Sequence, residues 1–143
     1  MSTRRAGTQT AYPWGDEIGK NNANCAGCGT RWDNKQPSPI RAFAANRFGL
    51  HDMHGNVWQW LEDCDHANYE RAPRDGSPRL EGSDCHERVV SGGSWHDGPE
   101  FLRSADRGWN TFDGRLNFLG LRVGPRSLLL KVSGKAGAAH TPL

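Results

Sequence analysis

Residues 48–64 read FGLHDMHGNVWQWLEDC. These seventeen positions hold two histidines, three acids, a cysteine and two tryptophans, dense enough for a metal site, a catalytic cluster or the inside of a fold. Periodicity separates the readings. Within Asn56–Asp63, Trp58, Gln59 and Trp60 alternate large apolar with polar, the period of two expected of a half-buried β-strand. Trp58 and Trp60 then share one strand face and are expected in the core. Asn56 is expected to fix the preceding turn by bonding to backbone. His51 and His54 have a spacing that would align them on a helix, but strand and turn signals need give them no common face. They read as surface or packing residues, so the stretch is expected to be mainly fold.

Outward from it, the chain of 143 residues has the length of one domain. Only 35% of it is hydrophobic and the mean hydropathy is −0.78, so a core has few apolar side chains to draw on. Six tryptophans, five phenylalanines and two tyrosines are the expected supply, because each aromatic buries a large area. Eighteen glycines indicate turns and irregular loops. Arg88–Trp95 reads as a strand running into a Gly-Gly bend, and Leu119–Val123 as a final strand. Residues 17–39, 65–87 and 96–118 read as loop, with a turn at Phe101–Arg107. No stretch has the pattern of a helix of ten or more residues. A domain over 1–126 is expected, followed by an appended tail at 127–143 in which Ser127–Val132 has strand character.

The net charge of +2 with mixed signs argues against a nucleic-acid surface. No apolar run is long enough for a membrane span. The first fifteen residues lack the apolar centre of a secretory signal, which makes the cytoplasm the expected location. Of the four cysteines, Cys25 and Cys28 form a CxxC. Cys64 and Cys85 offer no second one, which weakens a zinc reading. A Cys64–Cys85 disulfide would staple a Gly/Pro-rich loop, but a cytoplasmic protein favours buried free thiols at all four positions.

Four segments, AYPWGD (11–16), NRFGLHDMHGNVWQWLED (46–63), RVVSGGSW (88–95) and LRSADR…NFLGLRV (102–123), resemble in order and spacing the C-terminal half of the formylglycine-generating enzyme domain, also called the sulfatase-modifying factor domain. The resemblance covers residues 6–124. It implies an irregular, loop-rich α+β fold of the C-type-lectin-like kind with short antiparallel strands, truncated at its N-terminus.

The resemblance also implies a structural calcium ion. Asp52 and Gln59 would supply side-chain oxygens and Gly55 and Val57 carbonyls, a donor set suited to calcium. Gln59 stands where the family carries glutamate, so one charge is lost. A second calcium would involve Asn24, the carbonyl of Cys25 and Asp33. The family's oxidase chemistry needs two cysteines to hold copper, and thiolates suit Cu(I). The matching positions here are Pro99 and Ser104, so copper is not expected. The expectation is a non-catalytic module that binds an unidentified protein or small molecule. Its loop face would comprise His96, Asp97, Phe101, Asp106, Trp109, Asn110, Phe112, Leu116, Asn117 and Phe118. The scatter of residue types there resembles retroelement-diversified variable proteins of the same fold. The alternative is an oxidoreductase, formylglycine-generating or nonheme-iron, with parts outside this chain.

Overall fold

The computed structural model describes residues 6–68, 70–75, 77–80 and 85–123. The expected tail and its strand at Ser127–Val132 lie outside the described residues. The alternating stretch forms β1, Trp58–Cys64. The Val-Val run forms β2, Glu87–Ser91, antiparallel to β1 with Gln59 opposite Ser91 and Trp60 opposite Val90. Beyond β2 lies β3, Gly108–Thr111, antiparallel with Trp109 opposite Val89. On the other edge β4, Leu119–Gly120, runs parallel to β1. The sheet order is β3-β2-β1-β4.

Three expectations change here. The α component of the expected class is absent among the described residues, whose one helical element is a 3-10 turn at Pro99–Leu102. The antiparallel expectation fails at β4, which is also only two residues long. β3 falls in a segment read as lacking regular structure. Gly-Trp-Asn-Thr is too short to declare a period, and its strand conformation comes from its ladder with β2.

Apart from Tyr12, the buried core cluster does not draw on the aromatics. It comprises Tyr12, Ala23, Cys25, Cys28 and Leu102. Trp58 and Trp60, expected in the core, are half-buried, whereas the polar Gln59 between them is buried. The opposite face of β1 therefore faces inward at this point. The Gly-Gly bend after β2 is required by this core. Gly93 has φ +70°, and a Cβ there would run into Leu102. Gly55 has φ +71°, and its Cβ would collide with the Asn24 carbonyl.

All four cysteines are paired, as Cys25–Cys28 and Cys64–Cys85, with Cα atoms 5.2 Å apart in each pair. This corrects the expectation of free thiols. Geometry explains both bridges. Asp33 accepts the Gly27 and Gly29 amides at 2.8 and 2.7 Å and folds the CxxC segment into a tight loop. Cys64 ends β1 while Cys85 lies just before β2, so antiparallel pairing of the strands brings the two together. Asn56 does bond to backbone, as expected, but to Ser38, eighteen residues away. His54 is buried against Tyr12 and Trp14, its Nδ1 bonded to the Leu102 carbonyl at 2.6 Å.

Candidate functional site

The bend after β2 presents a chain of polar contacts. Asp97 Oδ2 accepts three donors: Trp58 Nε1 at 2.7 Å, Ser94 N at 3.0 Å and Ser94 Oγ at 2.6 Å. Ser94 is 0% exposed, and its Oγ also lies 2.8 Å from His96 Nδ1. The His96 ring sits between Trp95 and Phe118, with centroids 5.0 and 4.5 Å away. Phe118 is placed by its carbonyl, which accepts the Trp58 amide at the start of β1. His96, Asp97 and Phe118 of the expected face thus meet, but Asp97 is an anchor rather than a free contact. Ser94 and Trp58 were not among the expected site residues. The sequence signal for Ser94 was Ser-x-His-Asp, whereas nothing local pairs Trp58 with Asp97.

Most of the other expected contact residues are exposed. On β3 the indole of Trp109 is 56% exposed, and Phe112, just beyond the strand, is 62% exposed. Phe112 is fixed by its amide bonding the His86 carbonyl and by its ring lying 5.4 Å from that imidazole. Leu116, Asn117 and Phe101 are exposed, and Asn110 is half-buried. Asp106 belongs elsewhere. Its carbonyl accepts Ser91 Oγ, and its carboxylate lies 3.8 Å from Arg103 beside a cleft lined by Gln9, Thr10 and Ala11.

Ser104 and Pro99, the positions that the resemblance matches to the copper cysteines, have local structural contacts. The Pro99 carbonyl accepts the Tyr12 hydroxyl at 2.7 Å, and the Ser104 amide donates to Ala11 at 2.8 Å. Ser104 is buried, and its hydroxyl has no hydrogen-bond partner.

The calcium donors are placed as follows. Asp52 Oδ2 accepts the Arg41 amide, while its Oδ1 is buried without a partner. Gln59 donates its amide to the Asp52 carbonyl, and its oxygen accepts from Arg122 Nε at 3.1 Å. Arg122 also donates to the His51 carbonyl at 2.6 Å. A guanidinium therefore holds the Gln59 oxygen, and of the two expected side-chain donors only the buried Asp52 Oδ1 is left without a partner. Gly55 donates its amide to the Gly92 carbonyl, and Val57 is half-buried beside β1. The side chains of the second set are bonded within the protein. Asn24 uses both ends of its amide, on Thr30 and Gln36, and Asp33 uses both oxygens on backbone amides. The Cys25 carbonyl faces the Cys28 amide at 3.4 Å.

Comparison with known proteins gives a consistent result. The sulfatase-modifying factor enzyme 1-like domain matches residues 2–125. Hercynine oxygenase of Mycolicibacterium smegmatis is 31% identical over 128 residues, covering 82% of this chain and 28% of the oxygenase. The inactive Cα-formylglycine-generating enzyme 2 of Bos taurus is 30% identical, covering 78% of this chain and 36% of that protein. Among solved structures, PvdO from Pseudomonas aeruginosa superposes with a TM-score of 0.72 at 34% identity, covering 82% of this chain and 46% of PvdO. Treponema denticola variable protein 1 superposes with a TM-score of 0.62 at 20% identity, covering 82% and 41%. The chain thus spans less than half the length of each of these proteins.

Proposed function

This chain belongs to the sulfatase-modifying factor family, and from that premise we propose that it is a non-catalytic binding module whose contact surface lies within residues 96–118. The state of the thiols carries this reading. The positions that match the copper ligands are Pro99 and Ser104, and all four cysteines of the chain are used in Cys25–Cys28 and Cys64–Cys85. No thiolate pair is left to hold Cu(I). A family member named as inactive, 30% identical, is consistent with a fold kept after loss of chemistry. Exposed Trp109 and Phe112 supply the rigid aromatic surface on which binding energy concentrates. The partner is a protein or small molecule. Asp97 anchors Trp58, so any diversification of the face would leave that position fixed.

An oxygenase role, as the name of the mycobacterial relative suggests for that protein, would draw catalytic ligands from outside this chain. The test is direct. The protein is incubated with a CxPxR peptide and copper, and the peptide is examined for formylglycine by mass. No conversion is expected, and turnover would overturn the reading.

The disulfides favour an oxidising compartment, against the cytoplasmic expectation. Near Asp52, the Arg122 guanidinium on the Gln59 oxygen favours that cation over calcium. Among the described residues no helix is long and apolar enough to cross a membrane.

A further inference from the structure

We infer that His96 is held with its proton on Nδ1 and presents Nε2 as a bare acceptor, a seat for the hydroxyl or N–H group of a ligand with an aromatic body. This rests on the reading of residues 96–118 as a binding face and names the ligand chemistry that face selects.

The proton positions follow from counting donors. An ionised carboxylate only accepts. Asp97 Oδ2 receives the Trp58 indole N–H and the Ser94 backbone N–H, neither of which can act otherwise. Its third contact, 2.6 Å from Ser94 Oγ, closes only if the serine hydroxyl donates. Serine has one hydroxyl proton, so at its 2.8 Å contact with His96 Nδ1 the oxygen must accept. The donor there is Nδ1–H. A neutral imidazole carries one proton, which leaves Nε2 as an acceptor. Ser94 is wholly buried, so its hydroxyl has only the protein partners Asp97 and His96. Among the described residues Nε2 has no hydrogen-bond partner.

The surroundings narrow the ligand. His96 is half-buried between the Trp95 and Phe118 rings. A group that reaches Nε2 lies along aromatic surface. An O–H or N–H donor on an aromatic body gains both the hydrogen bond and the ring contact. An anionic group meets a lone pair, with the Asp97 carboxylate behind it, and is rejected. The site therefore discriminates donors from acceptors of the same shape.

Nitrogen NMR of the 15N-labelled protein, in alkaline buffer where imidazole is neutral, reads the tautomer directly. The Nε2 resonance of His96 is expected at the position of an unprotonated ring nitrogen and Nδ1 at that of a protonated one. Phenol, anisole and benzoate are then titrated as probes. Phenol is expected to shift the Nε2 signal saturably, anisole to bind about tenfold more weakly for want of one hydrogen bond, and benzoate to leave it unmoved. Ser94→Ala is expected to release the proton to Nε2 and erase the preference for phenol. A wild-type protein with the proton on Nε2, or equal binding of phenol and anisole, overturns the inference. The tautomer is measured in the unaltered protein, so it is decided even if Ser94→Ala does not fold. The broader binding-face reading fails on a different result, the unfolding of Trp109→Asn and Phe112→Asn.

Discussion

The carboxylate of Asp97 lies 2.7 Å from the indole nitrogen of Trp58, bonding the loop after the glycine bend to the start of the first strand. Removing it strands the Trp58 indole N–H and the Ser94 backbone N–H, and leaves the Ser94 hydroxyl only His96. Each buried donor left unpaired costs about 1–3 kcal/mol. Asp97 itself is half-exposed, so water partly compensates. Asp97→Ala is expected to lose about 2–4 kcal/mol in urea denaturation, with the transition also seen in tryptophan fluorescence. A loss below about 0.5 kcal/mol, the usual range of an inert surface site, would show that the contact holds nothing together.

The exposed aromatics of the proposed face behave differently. Trp109→Asn and Phe112→Asn are expected to change stability by no more than about 0.5 kcal/mol. Phe118 does not belong with them, although it was read as part of the same face. Its ring lies against His96 and is half-buried. Phe118→Asn is expected to cost about 1–2 kcal/mol, below the 3–5 typical of a fully buried Phe→Ala. Chemical denaturation of the three variants side by side separates surface from support.

Arg122 bonds the Gln59 oxygen and the His51 carbonyl, so Arg122→Ala leaves the buried Gln59 side-chain oxygen without this donor. A loss of about 1–3 kcal/mol follows. Calcium at millimolar concentration is expected to leave the Tm of the parent protein unchanged, since an ion that does not bind the native state stabilises nothing by linkage. A calcium-dependent rise in Tm, lost in Asp52→Ala, would restore the ion to this site.

Cys64–Cys85 closes a loop of sequence separation 21. Replacing both cysteines by serine is expected to cost about 3 kcal/mol. Indifference of the unfolding midpoint to the double substitution would mean that the strand pairing alone holds this loop.

Burial pushes the Tyr12 phenol above its ordinary range, with Glu100 and Glu17 adding to the rise and Arg103 opposing it. The protonated phenol is the form the fold favours. Its contribution is complete below the ordinary value of about 10 and is lost as pH rises through the folded value. Stability is expected to fall in that alkaline window. Tyr12→Phe should lose this part of the decline, together with the hydrogen bond to Pro99 that the hydroxyl makes at lower pH. An identical alkaline profile in the two proteins would remove Tyr12 from the explanation.

The strands β1 and β2 were legible because alternation and a β-branched run act within a few residues. The Gly-Gly bend was legible for the same reason. The Trp58–Asp97 and Gln59–Arg122 contacts join residues 39 and 63 positions apart, beyond the reach of any local pattern. β3 takes its conformation from a neighbour rather than from Gly-Trp-Asn-Thr itself. The cysteines were misread for a different reason. Their pairing depends on the strand register and on the loop closed by Asp33, and an assumed compartment stood in for that geometry. The core was misplaced because aromatic bulk does not say which face of a strand turns inward, and at Gln59 the polar face does.

The partners of β1 lie far along the chain, Arg88 to Ser91 on one side and Leu119 and Gly120 on the other. Such a sheet must close long loops before any contact rewards the closure, and folds dominated by distant pairings are slow. The Cys64–Cys85 bond changes that search. Once it forms, the end of β1 and the start of β2 are already neighbours, and their ladder can zip from the crosslink as a hairpin would. The oxidised chain is therefore expected to regain its sheet faster than the reduced one, and the moment of oxidation, rather than the final stability, sets how long the unpaired strand edges stand open to other molecules.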